Sequence, residues 1–385
     1  MIQITETEQK TGMPKIKYLI ILLAILLLSA ILIPLFNAEG LRGNDASRMP
    51  SADGNIFFLL LNDNETISLN TYRNNRIVEV QTFSISRNSL FATDQEERVA
   101  ILHVDKHIVI IYEFQTSKEI ELYIPYTIKP KAILLNSDNL FIGGAMSEGV
   151  GEEMLVRYHI QSGEWYRLEV PYEIFRWGKA IDDLVVRDSL LIAIDNIVLP
   201  KYLLFYNLNS TGKLEFSHYE ILPINAGNET IRQGRITSDY LGVLSRTSSW
   251  GGPFEHIAIY NCLDLTSSFA ISIKAEQPCC NRLFPCTYTI NDFLIVHDKV
   301  FLAHRSKGLG IFQIDDSYFE STDVPDLPQD VNPMRFNVRV DVDKVNYIQF
   351  RDEEIIHLTL IPNENKIVLT LRDALGRIRH EVFDV

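Results

Sequence analysis

The chain has no run of lysines and arginines, and its formal net charge is −14. A surface that gains affinity by releasing counterions from nucleic acid needs a basic patch, so nucleic acid is excluded as a partner. The linear signatures of several chemistries are missing as well: no Gly-x-Ser-x-Gly elbow, no phosphate-cradling glycine loop and no His-Glu-x-x-His helix. Cysteine is scarce, with four in 385 residues, the first at Cys262. Beyond residue 38 there is no second long hydrophobic run and no helix-length window with sustained 3.6-residue periodicity. The nearest approach, Leu371 to Ile378, is short and contains Gly376.

One long apolar run does occur. Tyr18 to Ala38 carries no charge, and about 20 residues at ~1.5 Å each cross a hydrocarbon core of roughly 30 Å. Pro34 falls in its last turns and marks the helix end. Lys10, Lys15 and Lys17 precede it against Glu6 and Glu8, whereas Glu39, Arg42, Asp45 and Arg48 balance after it. That bias places the N-terminus in the cytoplasm. The run exceeds the core of a cleaved secretory signal, and Leu28-Ser29-Ala30 and Phe36-Asn37-Ala38 put bulky residues where a small one is needed. The expected organisation is a cytoplasmic tail over 1–17, a transmembrane signal anchor over 18–38, a polar tether over 39–54 and an extracytoplasmic domain over 55–385. The protein is then single-pass in the cell membrane.

From Asn55 the chain becomes apolar runs of Ile, Val, Leu, Phe and Tyr separated by polar turns, the pattern of strands. The expected domain is all-β. The strands group with a period of about 40–50 residues, that of four-stranded propeller blades. Asp182–Val186, Ser189–Asp195, Tyr202–Leu208 and Leu214–Leu222 form one set; Asn291–Val296, Val300–His304, Gly310–Asp315 and Tyr318–Thr322 form another. Blades are predicted near 55–87, 88–128, 129–175, 180–224, 230–276, 287–326 and 333–385: a seven-bladed propeller, with six blades the alternative and a two-sheet sandwich the rival architecture. Each blade has two apolar faces that it cannot bury alone, so stacking around an axis completes the core. The strand-rich tail, Arg377 to Val385, is expected to complete the first blade.

The run NDFLIVHDKVFLAHRSKGLGIFQID, Asn291 to Asp315, resembles one unit of the LVIVD-type propeller repeats, with DDLVVRDSLLIAIDN and YLLFYNL a looser copy. The resemblance covers about a quarter of the chain, implies a propeller and brings no functional residues with it. The Trp-Asp signature of WD repeats, the kelch Gly-Gly pattern and the sialidase Asp box are all missing.

Cys262, Cys279, Cys280 and Cys286 cluster on the side of the membrane where disulfides persist. A bond between the adjacent Cys279 and Cys280 would strain its ring, so each is expected to bond an outer cysteine, stapling the link between the fifth and sixth blades. There is no Cys-x-x-Cys, and adjacent ligands suit tetrahedral zinc poorly. Asn64, Asn209 and Asn228 head glycosylation sequons.

Candidate chemistry centres on Asp182, Asp183 and Asp195 at strand ends, on Asp341 and Asp343, and on the histidine pairs His103/His107 and His297/His304. Aspartate caps turns throughout β proteins, and neither histidine pair has a third ligand at a recognisable spacing. No cofactor or metal is implied, Ca²⁺ being the one ion that oxygen-rich clusters would suit. Trp250, Gly251, Gly252 and Pro253, within Arg246–Phe254, form the best binding loop, a constrained backbone presenting an amphipathic ring. The expected function is a membrane-anchored protein-interaction or scaffolding module. The alternative is a hydrolase or lyase acting on an extracytoplasmic sugar, lactone or ester.

Overall fold

The computed structural model describes residues 43–45, 57–63, 65–86, 88–94, 97–146, 154–170, 180–187, 189–195, 202–208, 214–221, 230–247, 254–262, 268–274, 289–320, 338–340, 345–361 and 364–385. The membrane segment expected over Tyr18–Ala38 lies outside the described residues. So do the Trp250–Pro253 loop, Cys279, Cys280, Cys286, Asp341, Asp343 and the three sequon asparagines.

Leu41–Val385 is one compact unit, and it is a seven-bladed β-propeller. After β1 (Gly43–Asp45) the sheets follow in chain order. The first blade is β2 (Phe57–Leu61), β3 (Thr66–Arg73) and β4 (Arg76–Ser84). The second is β5 (Ser89–Thr93), β6 (Arg98–His103), β7 (Ile108–Glu113) and β8 (Lys118–Tyr123). The third is β9 (Ile128–Asn136), β10 (Asn139–Met146), β11 (Leu155–His159) and β12 (Glu164–Arg167). The fourth is β13 (Ile181–Arg187), β14 (Leu190–Asp195), β15 (Tyr202–Leu208) and β16 (Leu214–Ile221). The fifth is β17 (Thr230–Ile236), β18 (Tyr240–Thr247), β19 (Phe254–Asn261) and β20 (Ser268–Lys274). The sixth is β21 (Ile290–Val296), β22 (Lys299–His304) and β23 (Gly308–Gln313), completed after β24 (Val338–Val340) by β25 (Asn346–Ile348). The seventh is β26 (Glu353–Ile361), β27 (Lys366–Asp373) and β28 (Ile378–Asp384).

The burial patterns explain this order. Inner strands meet a neighbouring blade on both faces and read as continuous apolar runs, as in Phe57–Leu61. Outer strands alternate: in β8, Ile120 and Leu122 are half-buried while Lys118, Glu119, Glu121 and Tyr123 are exposed, the two-residue period of a half-solvated sheet. Asn74 and Asn75, both at positive φ, make the two-residue turn between β3 and β4 that fits a right-twisted hairpin.

Each blade interface has its own apolar cluster. Leu59 and Leu69 meet Phe91 and Ile101 between the first two blades, and the series continues through the second and third, third and fourth, fourth and fifth, fifth and sixth and sixth and seventh. The ring closes where Phe58 and Leu60 of the first blade pack on Ile361 and Val368 of the seventh. All of this packing lies within Phe57–Val385.

Five expectations are corrected. The tail does not complete the first blade: β28 pairs with β27 in its own sheet, so closure comes from side-chain packing and both flanking blades have three strands among the described residues. Tyr318–Thr322 does not supply the sixth blade's outer strand. Ser317–Glu320 is a short helix, whose Tyr318 and Phe319 rings pack on Phe269. The outer strand is β25, so the seventh blade begins at Glu353, and β24 runs parallel beside β20 of the fifth. Gly43–Asp45, inside the expected tether, pairs in parallel with β5, the inner strand of the second blade. Lastly, Cys262 is a free, half-buried thiol; its pKa is pushed up by burial, against the opposing pull of Arg187.

Candidate functional site

Antiparallel strands fix which residues share a rim. From the second blade to the seventh, inner strands begin at one rim, here the upper, where the second strand ends and the third begins, and the other turns lie at the lower rim; in the first blade β2 runs the other way, since the Ile85 N–H bonds Glu65 O and the Ser86–Ser89 turn leads straight into β5. The described residues that bear chemistry gather at the starts of the inner strands.

In blades three to seven the inner strand carries a β-bulge near its start, with Lys131, Asp182, Arg232, Asn291 and Ile356 as the extra residues. A bulge leaves a residue out of the ladder and re-aims its side chain. Three of these side chains reach the next blade. Lys131 Nζ lies 2.6 Å from Asp182 Oδ1, Arg232 Nη1 donates to Ile290 O at 2.5 Å, and Asn291 Nδ2 donates to Ile355 O at 2.7 Å. The residue after the bulge repeats the device in two blades. Asp183 Oδ2 accepts the Gly234 N–H at 2.5 Å, and Asp292 Oδ2 accepts the Leu358 N–H at 2.9 Å. Both donors occupy the same place, two residues past their own bulge. A Cβ at Gly234 would lie 2.4 Å from Ile194 Cδ1 and 3.6 Å from Asp183 Oδ2, so the glycine makes room for Ile194 rather than for the carboxylate.

Asp292 is the most heavily engaged of these carboxylates. Besides Leu358 it meets Arg235 Nη2 of the fifth blade at 3.2 Å and His357 Nδ1 of the seventh at 2.5 Å, and its Oδ1 accepts the Phe293 N–H at 2.8 Å. Burial alone would push its carboxyl up, but His357, Arg235 and the Leu358 N–H outweigh it and hold the group well below the usual carboxylate range. Glu255, fully buried at the start of β19, accepts the Thr289 N–H at 2.9 Å and the Ile290 N–H at 2.6 Å. Burial raises its carboxyl, opposed by Arg232, those two N–H groups and Arg246. Glu354 collects Asn291 Nδ2 at 2.9 Å, Arg372 Nη2 at 3.0 Å and Arg305 Nε at 3.4 Å.

The residues singled out from sequence are partly brought together. Asp182 and Asp183 begin β13, and Asp195 ends the paired strand opposite Ile181, so all three share the upper rim. His304 shares it too, but its Nδ1 accepts the Ser306 and Lys307 N–H groups of its own turn. His297 is at the lower rim, 2.9 Å from Asn365 Oδ1; it and His304 lie at opposite ends of β22 and make no pair. His103 contacts Ser89 Oγ at 3.1 Å, and His107 closes the short turn after it at positive φ. Asp292, Arg235, Glu255 and His357 were not foreseen. Only Asp292 had a signal, a polar pair interrupting an apolar run at the start of the fourth, fifth and sixth blades: Ile181-Asp182-Asp183, Ile231-Arg232-Gln233 and Ile290-Asn291-Asp292.

No protein-family model matches the chain, and no curated protein does. Among solved structures it is similar to U3-55K at 10% identity, covering 89% of this chain and 97% of that one, with a TM-score of 0.51. It is also similar to the WD40 domain of Neurospora crassa Pan2 (10%, 86% and 90%, TM-score 0.45). A third structure is a putative 6-phosphogluconolactonase from Bacteroides fragilis (11%, 88% and 97%, TM-score 0.46). At 10% identity the likeness to U3-55K speaks for the fold alone.

Proposed function

We infer that the chain is a non-enzymatic interaction or scaffolding module, a propeller held at the outer face of a membrane by Tyr18–Ala38. One observation carries the non-enzymatic part. The interior carboxylates described at the upper rim, Asp182, Asp183, Glu255 and Asp292, are engaged in joining blade to blade, Asp182 through Lys131 of the preceding blade. A catalytic carboxylate needs a free oxygen facing substrate, whereas these accept backbone N–H groups and pair with arginine or lysine. The likeness of Asn291–Asp315 to LVIVD-type repeats supports an origin by repetition of one blade.

The anchor follows from the uncharged run and the lysines before it. A reporter enzyme that works only after export, fused after Val385, is expected to be active. A fluorescent fusion confined to the cytoplasm would overturn the topology. For the interaction role, detergent extracts should yield a stoichiometric partner; failure across several growth conditions counts against it.

A further inference from the structure

The chain has 36 Lys and Arg against 50 Asp and Glu, so a buried arginine has acids at hand. Arg98 pairs with Glu97, Glu113 and Asp138, and Arg235 with Asp292. Arg157, in β11 of the third blade, differs: it is 5% exposed, and among the described residues no carboxylate pairs with it. Its guanidinium donates from Nε to Asn139 Oδ1 at 2.7 Å and stands over the Tyr166 ring, 5.5 Å from the ring centre. These contacts leave Nη1 and Nη2 without a described acceptor. Glu164, the acid on the same face, accepts the Tyr166 hydroxyl instead. Burial pulls the Arg157 pKa down and outweighs the opposing pull of Tyr166.

Asn136 stands beside it. In the register of the third blade Asn136 faces Asn139 at the lower rim, and Leu134, Phe141, Arg157 and Tyr166 make the next row on the same face. Neighbouring strands lie about 4.8 Å apart, so Asn136 and Arg157 flank Asn139 from the strands on either side of it. Asn136 is 1% exposed, yet neither its Oδ1 nor its Nδ2 has a hydrogen-bond partner, and it is the one described side chain with two such buried atoms. The face turns to the fourth blade, whose Val186, Leu191, Tyr206 and Leu214 share one apolar cluster with Leu134 and Phe141. Tyr206 donates its hydroxyl to Glu169 O. The described wall opposite therefore brings no counter-charge.

A desolvated guanidinium without a counter-charge is costly, and so is a buried amide with neither end bonded. One ligand answers both. The two Nη groups form a planar fork that matches two oxygens of a carboxylate or phosphate. Asn136 presents a donor and an acceptor side by side, which suits an anion that also carries an O–H. We propose that the lower-rim end of the interface between the third and fourth blades binds a small hydroxylated oxyanion, hydrogen phosphate or a 2-hydroxycarboxylate. Arg157 meets its charge, Asn136 meets its hydroxyl and an adjacent oxygen, and the Tyr166 ring holds the guanidinium in place. The proposal goes beyond the interaction-module reading and does not rest on the membrane anchor.

The test is isothermal titration calorimetry of the full chain in non-ionic detergent, near neutral pH and at fixed ionic strength, with phosphate, glycolate and acetate as probes. Saturable binding of phosphate or glycolate is expected, and the tighter of the two identifies the charged group of the ligand. Acetate, which has no hydroxyl, should bind roughly three- to tenfold more weakly than that anion. Arg157→Met keeps an apolar stem and removes the charge, so the fold should hold while binding falls roughly tenfold or more. Asn136→Leu should weaken binding roughly three- to tenfold. Near-ultraviolet circular dichroism establishes that each variant is folded. Absence of saturable binding of both phosphate and glycolate to the wild type overturns the proposal whatever the variants do. So does unchanged binding by folded Arg157→Met, and so does acetate binding as tightly as the tighter of the other two.

Discussion

Two stretches of the ring are held in different ways. From the third blade to the seventh, bulged inner strands send charged and amide side chains across each interface, and Asp183 and Asp292 bond the backbone of the following blade. At the seam between the seventh blade and the first, the described contact is apolar: Phe58 and Leu60 against Ile361 and Val368, flanked by Tyr72, Ile77 and Val382. Many rings are closed by a strand drawn from the other terminus; here side-chain burial does that work. The comparison teaches that interfaces of one architecture can draw on separate physics, directional and charge-assisted on one side, non-directional and area-dependent on the other. Perturbations should therefore separate them.

The largest effect is expected at Asp292. Asp292→Ala leaves Arg235 buried without its carboxylate and the Leu358 N–H without its acceptor, costing about 3–5 kcal/mol by urea denaturation. The pH dependence follows from the depressed carboxyl. Its stabilisation is present above the ordinary carboxylate pKa and is lost as pH falls through the folded value. Wild type and variant should therefore converge in the acid range below about pH 4. A difference unchanged down to pH 2 would refute the ionic account.

The seam offers the counterpart. Leu60→Ala removes buried methyl groups and leaves a cavity, for about 3 kcal/mol, with no dependence on salt or acid beyond that of wild type. A seam loss that tracked ionic strength would erase the contrast. Next in size comes Asp183→Asn. Either amide orientation sets an N–H₂ against the Leu184 or the Gly234 N–H, both of which the carboxylate now accepts, and about 2 kcal/mol should be lost. Stability equal to wild type would mean that the fourth and fifth blades are joined by their apolar cluster alone.

The fold was legible because apolar runs and turns recur with a fixed period, and each of the first five predicted blades coincides with the consecutive strands of one sheet. What failed were elements whose partners are not local. Tyr318 and Phe319 read as strand residues, yet their rings cover Phe269 of the neighbouring blade and the backbone follows as a helix. Val338–Val340 pairs with a strand far back in sequence. In the candidate site, Asp182 and Asp183 were visible as acids, but their role was not. Whether a carboxylate faces substrate or the next blade's N–H depends on a bulge, and a bulge shows only as one extra residue against the partner strand.

The smallest expected effect sharpens the comparison at an interface outside the bulged series. Arg98, at the lower rim of the second blade, donates from Nη1 to Ser137 O at 3.1 Å and to Asp138 Oδ1 at 3.2 Å, both in the third blade. Its Nε faces Glu113 Oε1 at 3.4 Å and its Nη2 faces Glu97 Oε1 at 3.0 Å. Burial pulls its pKa down, but Glu97, Asp94, Asp138 and Glu113 more than offset that and hold the cation charged. Arg98→Lys keeps the charge and loses the planar fork that serves several acceptors at once. The site is only partly shielded, so the loss should be about 0.5–1 kcal/mol and should shrink as salt screens the remaining attraction. A cost above that of Asp183→Asn would mean that charge-assisted bridging extends past the bulged blades, and the boundary drawn at the third blade would have to move.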